Sequence, residues 1–340
     1  MKALQLSFPT ASLLAVIAFG ATLLTASAGT VPANLSLKGD REKATFVISS
    51  DATHITCSAF PDGRQAERIS HDDIVQINWR EPEDWTNAWQ LFVQHKFDEA
   101  APALAAVYEN YKGLRTYEDS FSARAKFYEC ESLRLAGKYV ELMEAYDTVV
   151  DVKLSKPFLA QVRLFNCWGH AGKEMWSPLE RIMESYEITT IPEYTVPPTG
   201  MPFVKVSPRE IIQIAYLRGT AKMKLLQKKR DKLAAMIAKN DERDLPAIAI
   251  LRGEISEVET IALHDFGRVL TVSFGDERLI TKNAITNFLD LITTVEGFKE
   301  NFIQQKEAHA MAVLYRDLFG GGKVPSQYEA FLAEPTEPEE

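Results

Sequence analysis

The chain has 340 residues, of which 46% are hydrophobic, 25% charged and 10% aromatic, and its 47 acidic and 38 basic side chains leave a net charge of −9. This length predicts two domains or one elongated array, and the composition excludes the disordered, collagenous and disulfide-scaffold classes. The acidic balance repels a phosphate backbone, so no nucleic-acid partner is expected.

Residues 1–28 carry Lys2, an apolar stretch from Leu13 to Leu24 and then Ala26-Ser27-Ala28. That is the three-part plan of a secretory signal peptide, with cleavage expected after Ala28. The expectation is an exported, soluble product, periplasmic or extracellular, in a Gram-negative-type bacterium. Three cysteines remain, Cys57, Cys130 and Cys167, without a CxxC pair. This excludes a disulfide framework and a zinc site. Cys130 and Cys167 read either as small buried hydrophobes in helices or as one bonded pair.

The polar residues 29–43 are expected to form a flexible N-terminus. In residues 44–82, the runs Ala44–Ser50, His54–Phe60 and Ile69–Trp79 are rich in Val, Ile, Thr and Phe and are separated by turn chemistry at Ser50-Asp51 and Pro61-Asp62-Gly63. They predict a small β-meander of three or four strands, which must pack on the following residues or be completed by another segment.

From Glu83 the apolar period changes to 3.6. Asp84–His95 with Phe97–Tyr111, Ser122–Ala136 with Tyr139–Val150, and Phe158–His170 with Ser177–Tyr186 predict three helix pairs, turning at His95-Lys96, Gly137-Lys138 and Gly172-Lys173. The recurrence lies close to the ~34-residue period of helix–turn–helix repeats. Ala88, Leu91, Phe97, Ala100 and Leu104, and then Cys130, Leu133, Gly137, Tyr139 and Tyr146, fall at matching spacings. On these residues, 83–187 resembles the tetratricopeptide repeat (TPR) family. Leu142 stands in a small-residue slot, Trp176 reaches the aromatic position only with a turn two residues longer, and the usual closing proline is missing. The resemblance implies a mainly α protein, a TPR-like helical-hairpin array (α-solenoid) behind a small N-terminal β-meander, acting as a scaffold or adaptor.

Residues 188–208 contain Pro192, Pro197, Pro198, Pro202 and Pro208, which favour an extended strap. Its Tyr194, Val196, Met201 and Phe203 give it apolar surface to bury, and it is expected to lie along the helices and partly fill their groove. Residues 209–320 read as helical: one helix opens at Ser207-Pro208, a second covers Leu245–His264, and Thr281–Phe319 is one kinked or two packed helices around Gly297. Gly320-Gly321-Gly322 ends the last of these, and residues 321–340 are expected to be a disordered acidic tail.

Chemistry-bearing motifs are few. Gly320–Lys323 lacks the Ser or Thr of a phosphate loop and follows a helix, and His71-Asp72-Asp73 lacks a second histidine for a metal. No catalytic residues, cofactor or metal are expected. Trp79, Trp85 and Trp89 cluster where strand gives way to helix, forming a joint between modules or an aromatic platform for a sugar. Lys222 to Lys232, with Lys228 and Lys229 among them, form a basic run that is either a solvated helix face or a patch for an anionic lipid surface or acidic protein. The leading expectation is a non-enzymatic adaptor binding other envelope proteins. The alternatives are a carbohydrate-binding or carbohydrate-processing helical protein, and an oligomeric structural subunit whose long second-half helices pair between chains as a homo-oligomer.

Overall fold

The computed structural model describes residues 29–186, 207–272 and 277–336. The protein is mainly helical, with a small N-terminal antiparallel sheet. The strands are β1 (Val31–Leu37), β2 (Arg41–Ser50), β3 (His54–Ser58), β4 (Glu67–Ser70) and β5 (Ile74–Trp79), in the order β4-β3-β2-β1-β5. Residues 29–43 are therefore not a flexible lead-in, because β1 lies between β2 and β5. Val31, Ala33 and Leu35 alternate inward and are buried. This period-2 signal is short and interrupted by Pro32 and Asn34, and its partner β5 is distant in sequence. A left-handed pair, Gly39 (φ 78°) and Asp40 (φ 53°), turns β1 into β2.

The stretch Ile69–Trp79 is two strands rather than one, split by a 3-10 turn at His71–Asp73. That three-residue link joins opposite edges of a five-stranded sheet. Such a link spans at most ~14 Å, whereas four flat inter-strand steps need ~19 Å, so the sheet curls. Trp79 meets Tyr117 and Phe121 edge-on at 5.7 Å, which ties the sheet to the helices.

The helices are α1 (Glu83–Val93), α2 (Phe97–Asn110), α3 (Phe121–Leu135), α4 (Tyr139–Val149), α5 (Lys156–Gly172), α6 (Trp176–Glu184), α7 (Pro208–Lys239), α8 (Leu245–Val272), α9 (Arg278–Ile292) and α10 (Phe302–Leu318). Consecutive helices pack on each other. In addition α1 touches α3, α3 touches α5, α5 touches α7 and α7 touches α9, so the odd helices form one layer. Helix α7 opens with a capping box of Ser207 and Glu210 and with Pro208 in its first turn, as its sequence predicts.

The turns inside the pairs α1–α2, α3–α4 and α5–α6 share one geometry. His95, Gly137 and Glu174 are left-handed, with φ of 60°, 75° and 53°. The following amides reach back alike, Lys96 to Leu91, Lys138 to Leu133 and Met175 to His170, at 3.0, 2.9 and 2.9 Å. The third turn is therefore centred on Glu174 and not on Gly172-Lys173, which aligns Trp176 with Phe97 and Tyr139. Gly172, which resembles the turn glycine Gly137 in sequence, is a packing glycine. A Cβ on Gly172 would stand 2.4 Å from that of Tyr139, and one on Gly169 would stand 2.5 Å from Met143 Sδ. In the same register Ala88, Cys130 and Cys167 are equivalent, and all three are buried small side chains. The three cysteines are free and buried.

Residues 321–336 are not a disordered tail. The glycines reverse the chain, residues Ser326–Leu332 form a 3-10 helix, and Tyr328 is buried with its hydroxyl 2.6 Å from Asp290 Oδ1. Phe331 packs on Phe298, and its carbonyl lies 2.9 Å from His309 Nδ1. Residues 337–340, the leader expected at 1–28 and the strap expected around Tyr194 and Phe203 lie outside the described residues.

Candidate functional site

A cleft of about 1040 Å³ opens on the layer of odd helices. It is lined from α1 by Trp89, Phe92 and Val93, from α3 by Tyr128 and Arg134, from the start of α7 by Arg209, and from the start of α9 by Arg278, Leu279 and Lys282, with Phe319 at one end.

The base of the cleft is an ion network that staples three helices. Glu131 and Arg134 stand one turn apart on α3, and the guanidinium clasps that carboxylate through Nε and Nη2, both at 2.8 Å. The other edge of Arg134 takes Glu277, the residue before α9, at 3.0 and 2.8 Å. Arg209 Nε donates to Glu277 Oε1 at 2.9 Å, and its Nη2 donates to Glu131. The side chains of Arg134, Glu131 and Glu277 are all at most 2% exposed, while Arg209 reaches the cleft. Two cations on two carboxylates leave the network neutral, which is what permits its burial. Burial alone would raise the Glu131 carboxyl, but the charges and hydrogen bonds of Arg134 and then Arg209 overcome it and hold it below the usual carboxylate range.

Above this base one wall is aromatic. Tyr128 meets Trp89 at 4.7 Å and Phe92 at 5.0 Å between centroids, and Trp89 stacks on Phe92 at 5.4 Å. The facing wall is cationic. Arg278 donates to the Leu318 carbonyl at 2.8 Å and lies over Phe319, while Lys282 lies over Tyr315. Neither has an acid partner among the described residues. With its neutral base, the cleft is locally positive on an acidic protein.

The tryptophans differ in burial, although Trp85 stacks on Trp89 at 5.9 Å between centroids. Trp79 belongs to the sheet–helix joint, and Trp85 is buried against Phe121 and Tyr128 under the Arg124 guanidinium. Only Trp89 enters the cleft. The basic run also divides. Lys222 pairs with Glu180, Lys229 with Glu254 and Arg230 with Glu259, whereas Lys224, Lys228 and Lys232 are exposed and make no ion pair among the described residues.

At Gly320–Lys323 the amides close a turn: Gly320 and Gly322 donate to Tyr315 and Arg316 carbonyls and Lys323 to Gly320. His71 stacks on Tyr117. Among the described residues no group of three or more His, Cys, Asp or Glu could hold a metal, and no helix is long and apolar enough to cross a membrane.

Sequence reasoning missed Glu131, Arg134, Arg209, Glu277, Arg278 and Lys282. One signal was present: Glu131 and Arg134 sit beside Cys130 and Leu133, where the helical period calls for apolar side chains. No family model, curated protein or solved structure matches the chain.

Proposed function

We propose that this protein is an exported, non-enzymatic scaffold or adaptor, whose TPR-like helical array holds another protein of the cell envelope in the cleft on its odd-helix layer. The observation that carries this reading is the cleft itself, with rigid aromatics facing cations across an open space. Aromatic and Arg side chains dominate protein recognition, the aromatics because they bury area with little rotamer loss and Arg because its planar fork makes several directional hydrogen bonds. The matching turns at His95, Gly137 and Glu174 and the contacts between successive odd helices support a repeat array, in which stacked hairpins leave one layer free for a ligand.

The carbohydrate reading draws on the same aromatic wall. Hydrolysis would need one carboxyl free to carry a proton, whereas Glu131 and Glu277 are each clasped by two guanidiniums. The adaptor reading therefore fits this site better than a glycosidase reading.

A photo-crosslinking residue placed at Val93 or Leu279, both exposed in the cleft, tests the proposal against a control at Val75, exposed on the sheet. Discrete protein adducts in the envelope fraction are expected from the first two positions and are lost with Trp89→Ala. Adducts identical to those from Val75 would overturn it.

A further inference from the structure

Beyond the contact of Arg230 with Thr294 at their base, helices α7 and α8 project from the rest of the molecule as a bare hairpin. From Gln227 to Ile250 no residue is buried, although Leu226 and Leu251 on either side are. The two arms of this stretch carry Leu233-Ala-Ala-Met-Ile-Ala238 and Leu245-Pro-Ala-Ile-Ala-Ile250. Each arm is apolar all round, the pattern of a helix that is covered on every side. Ile237, Leu245 and Ile250 are 46%, 61% and 66% exposed. Two helices alone cover one seam on each other, here reflected in the half-buried Leu233, Met236 and Ile248, and leave the remaining faces in water. The uncovered residues include Ala234, Ala235, Ala238, Ala247 and Ala249, small side chains that let further helices approach closely.

The charges around this zone indicate what covers it. Below it, Lys228 and Lys232 are exposed without an ion pair among the described residues. Beyond it, the turn Lys239–Asp244 holds three acids against two bases, and Glu242 is exposed without an ion pair among the described residues. A lipid bilayer would have to take in that charged turn ahead of the apolar zone, at a high desolvation cost. A second hairpin laid antiparallel would instead match apolar zone to apolar zone and bring the acidic turn of each onto the lysines of the other.

We propose that the α7–α8 hairpin is a self-association surface: two copies of this chain overlap their hairpins antiparallel about a two-fold axis, forming a four-helix bundle in which Glu242 of one copy faces Lys228 and Lys232 of the other. Such an isologous contact closes on itself at two copies. It is independent of the cleft, which lies at the opposite ends of α7 and α9.

Light scattering and sedimentation of the purified protein over a concentration series test this. The expected mass is twice that of the chain. Ala235→Glu combined with Ile250→Glu should return the mass of one chain. Both positions are exposed and glutamate is a good helix former, so the helical circular dichroism should be unchanged. Lys232→Glu and Glu242→Lys should each weaken association about tenfold, and the two together in one chain should restore it. That recovery distinguishes a contact between copies from a fold defect. A single-chain mass for the wild type overturns the proposal. So does a dimer that survives the paired glutamates, a charge exchange that fails to restore association, or a monomer that binds phosphatidylglycerol vesicles through the hairpin.

Discussion

Arg134 and Glu277, 143 residues apart in the chain, meet through two hydrogen bonds of 3.0 and 2.8 Å at the base of the cleft. This contact joins the helix pairs of the first half to the helices of the second and fixes where Arg278 and Lys282 stand. A hydrophobic contact at this place would hold the helices together but would not set the orientation of α9 through paired, directional bonds.

Glu277→Gln keeps the shape and removes the charge, leaving two guanidiniums over one carboxylate. Breaking a buried pair in this way costs about 3–5 kcal/mol. A loss of unfolding free energy of that order, read by urea denaturation followed by circular dichroism, is expected. An unchanged midpoint would show that the network does not hold the halves together.

The same network predicts acid sensitivity. The Glu131 carboxyl is depressed in the folded protein, so its contribution is fully present above its unfolded value of ~4.3 and is lost as pH falls through the lower folded value. Urea midpoints measured from pH 6 downwards should fall more steeply for the wild type than for Glu131→Gln.

Two glycines give opposite expectations for the same substitution. At Gly172 an alanine Cβ would stand 2.4 Å from Tyr139 Cβ and 2.9 Å from its carbonyl carbon, so Gly172→Ala should destabilise by about 1–3 kcal/mol or more. At Gly253, inside α8, nothing lies within 4 Å, so Gly253→Ala should stabilise by up to about 1 kcal/mol. Chemical denaturation of both checks the packing, because a Gly172→Ala variant as stable as the wild type would show the α4–α5 approach to be wrong.

Trp85 and Trp89 should also separate. Truncating the buried Trp85 to Ala should cost about 3–5 kcal/mol of stability. Trp89→Ala, half-buried in the cleft and stacked on Trp85, should cost less stability than Trp85→Ala and remove the crosslinked adducts at Val93. Equal thermal losses would place both residues in the core.

The helices were legible because each carries its own local signals, the 3.6 period and caps such as Ser207 with Glu210. Strand β1 was not, because Val31, Ala33 and Leu35 become a core face only once β5 pairs with them across the curled sheet. The third turn was misplaced for a related reason: Gly172 and Gly137 look alike in sequence, yet one packs on Tyr139 and the other supplies a positive φ. The cleft was almost illegible, since Glu131, Arg209 and Glu277 come together only through contacts between distant helices. Of its residues only Trp89 stood out beforehand, for its aromatic area.

The shared geometry of the three turns also makes the thiols spectators. Because Cys130 and Cys167 occupy the slot that Ala88 fills in the first pair, each is sealed between two helices, and burial pushes the Cys167 thiol up to about 12 and that of Cys130 higher still. Cys57, on the inner face of the sheet, is raised as well, first by burial. Oxidation and disulfide exchange proceed through the thiolate, which is scarce at neutral pH for such groups. An oxidising compartment would leave the folded chain reduced, and thiol reagents would find it only as it unfolds.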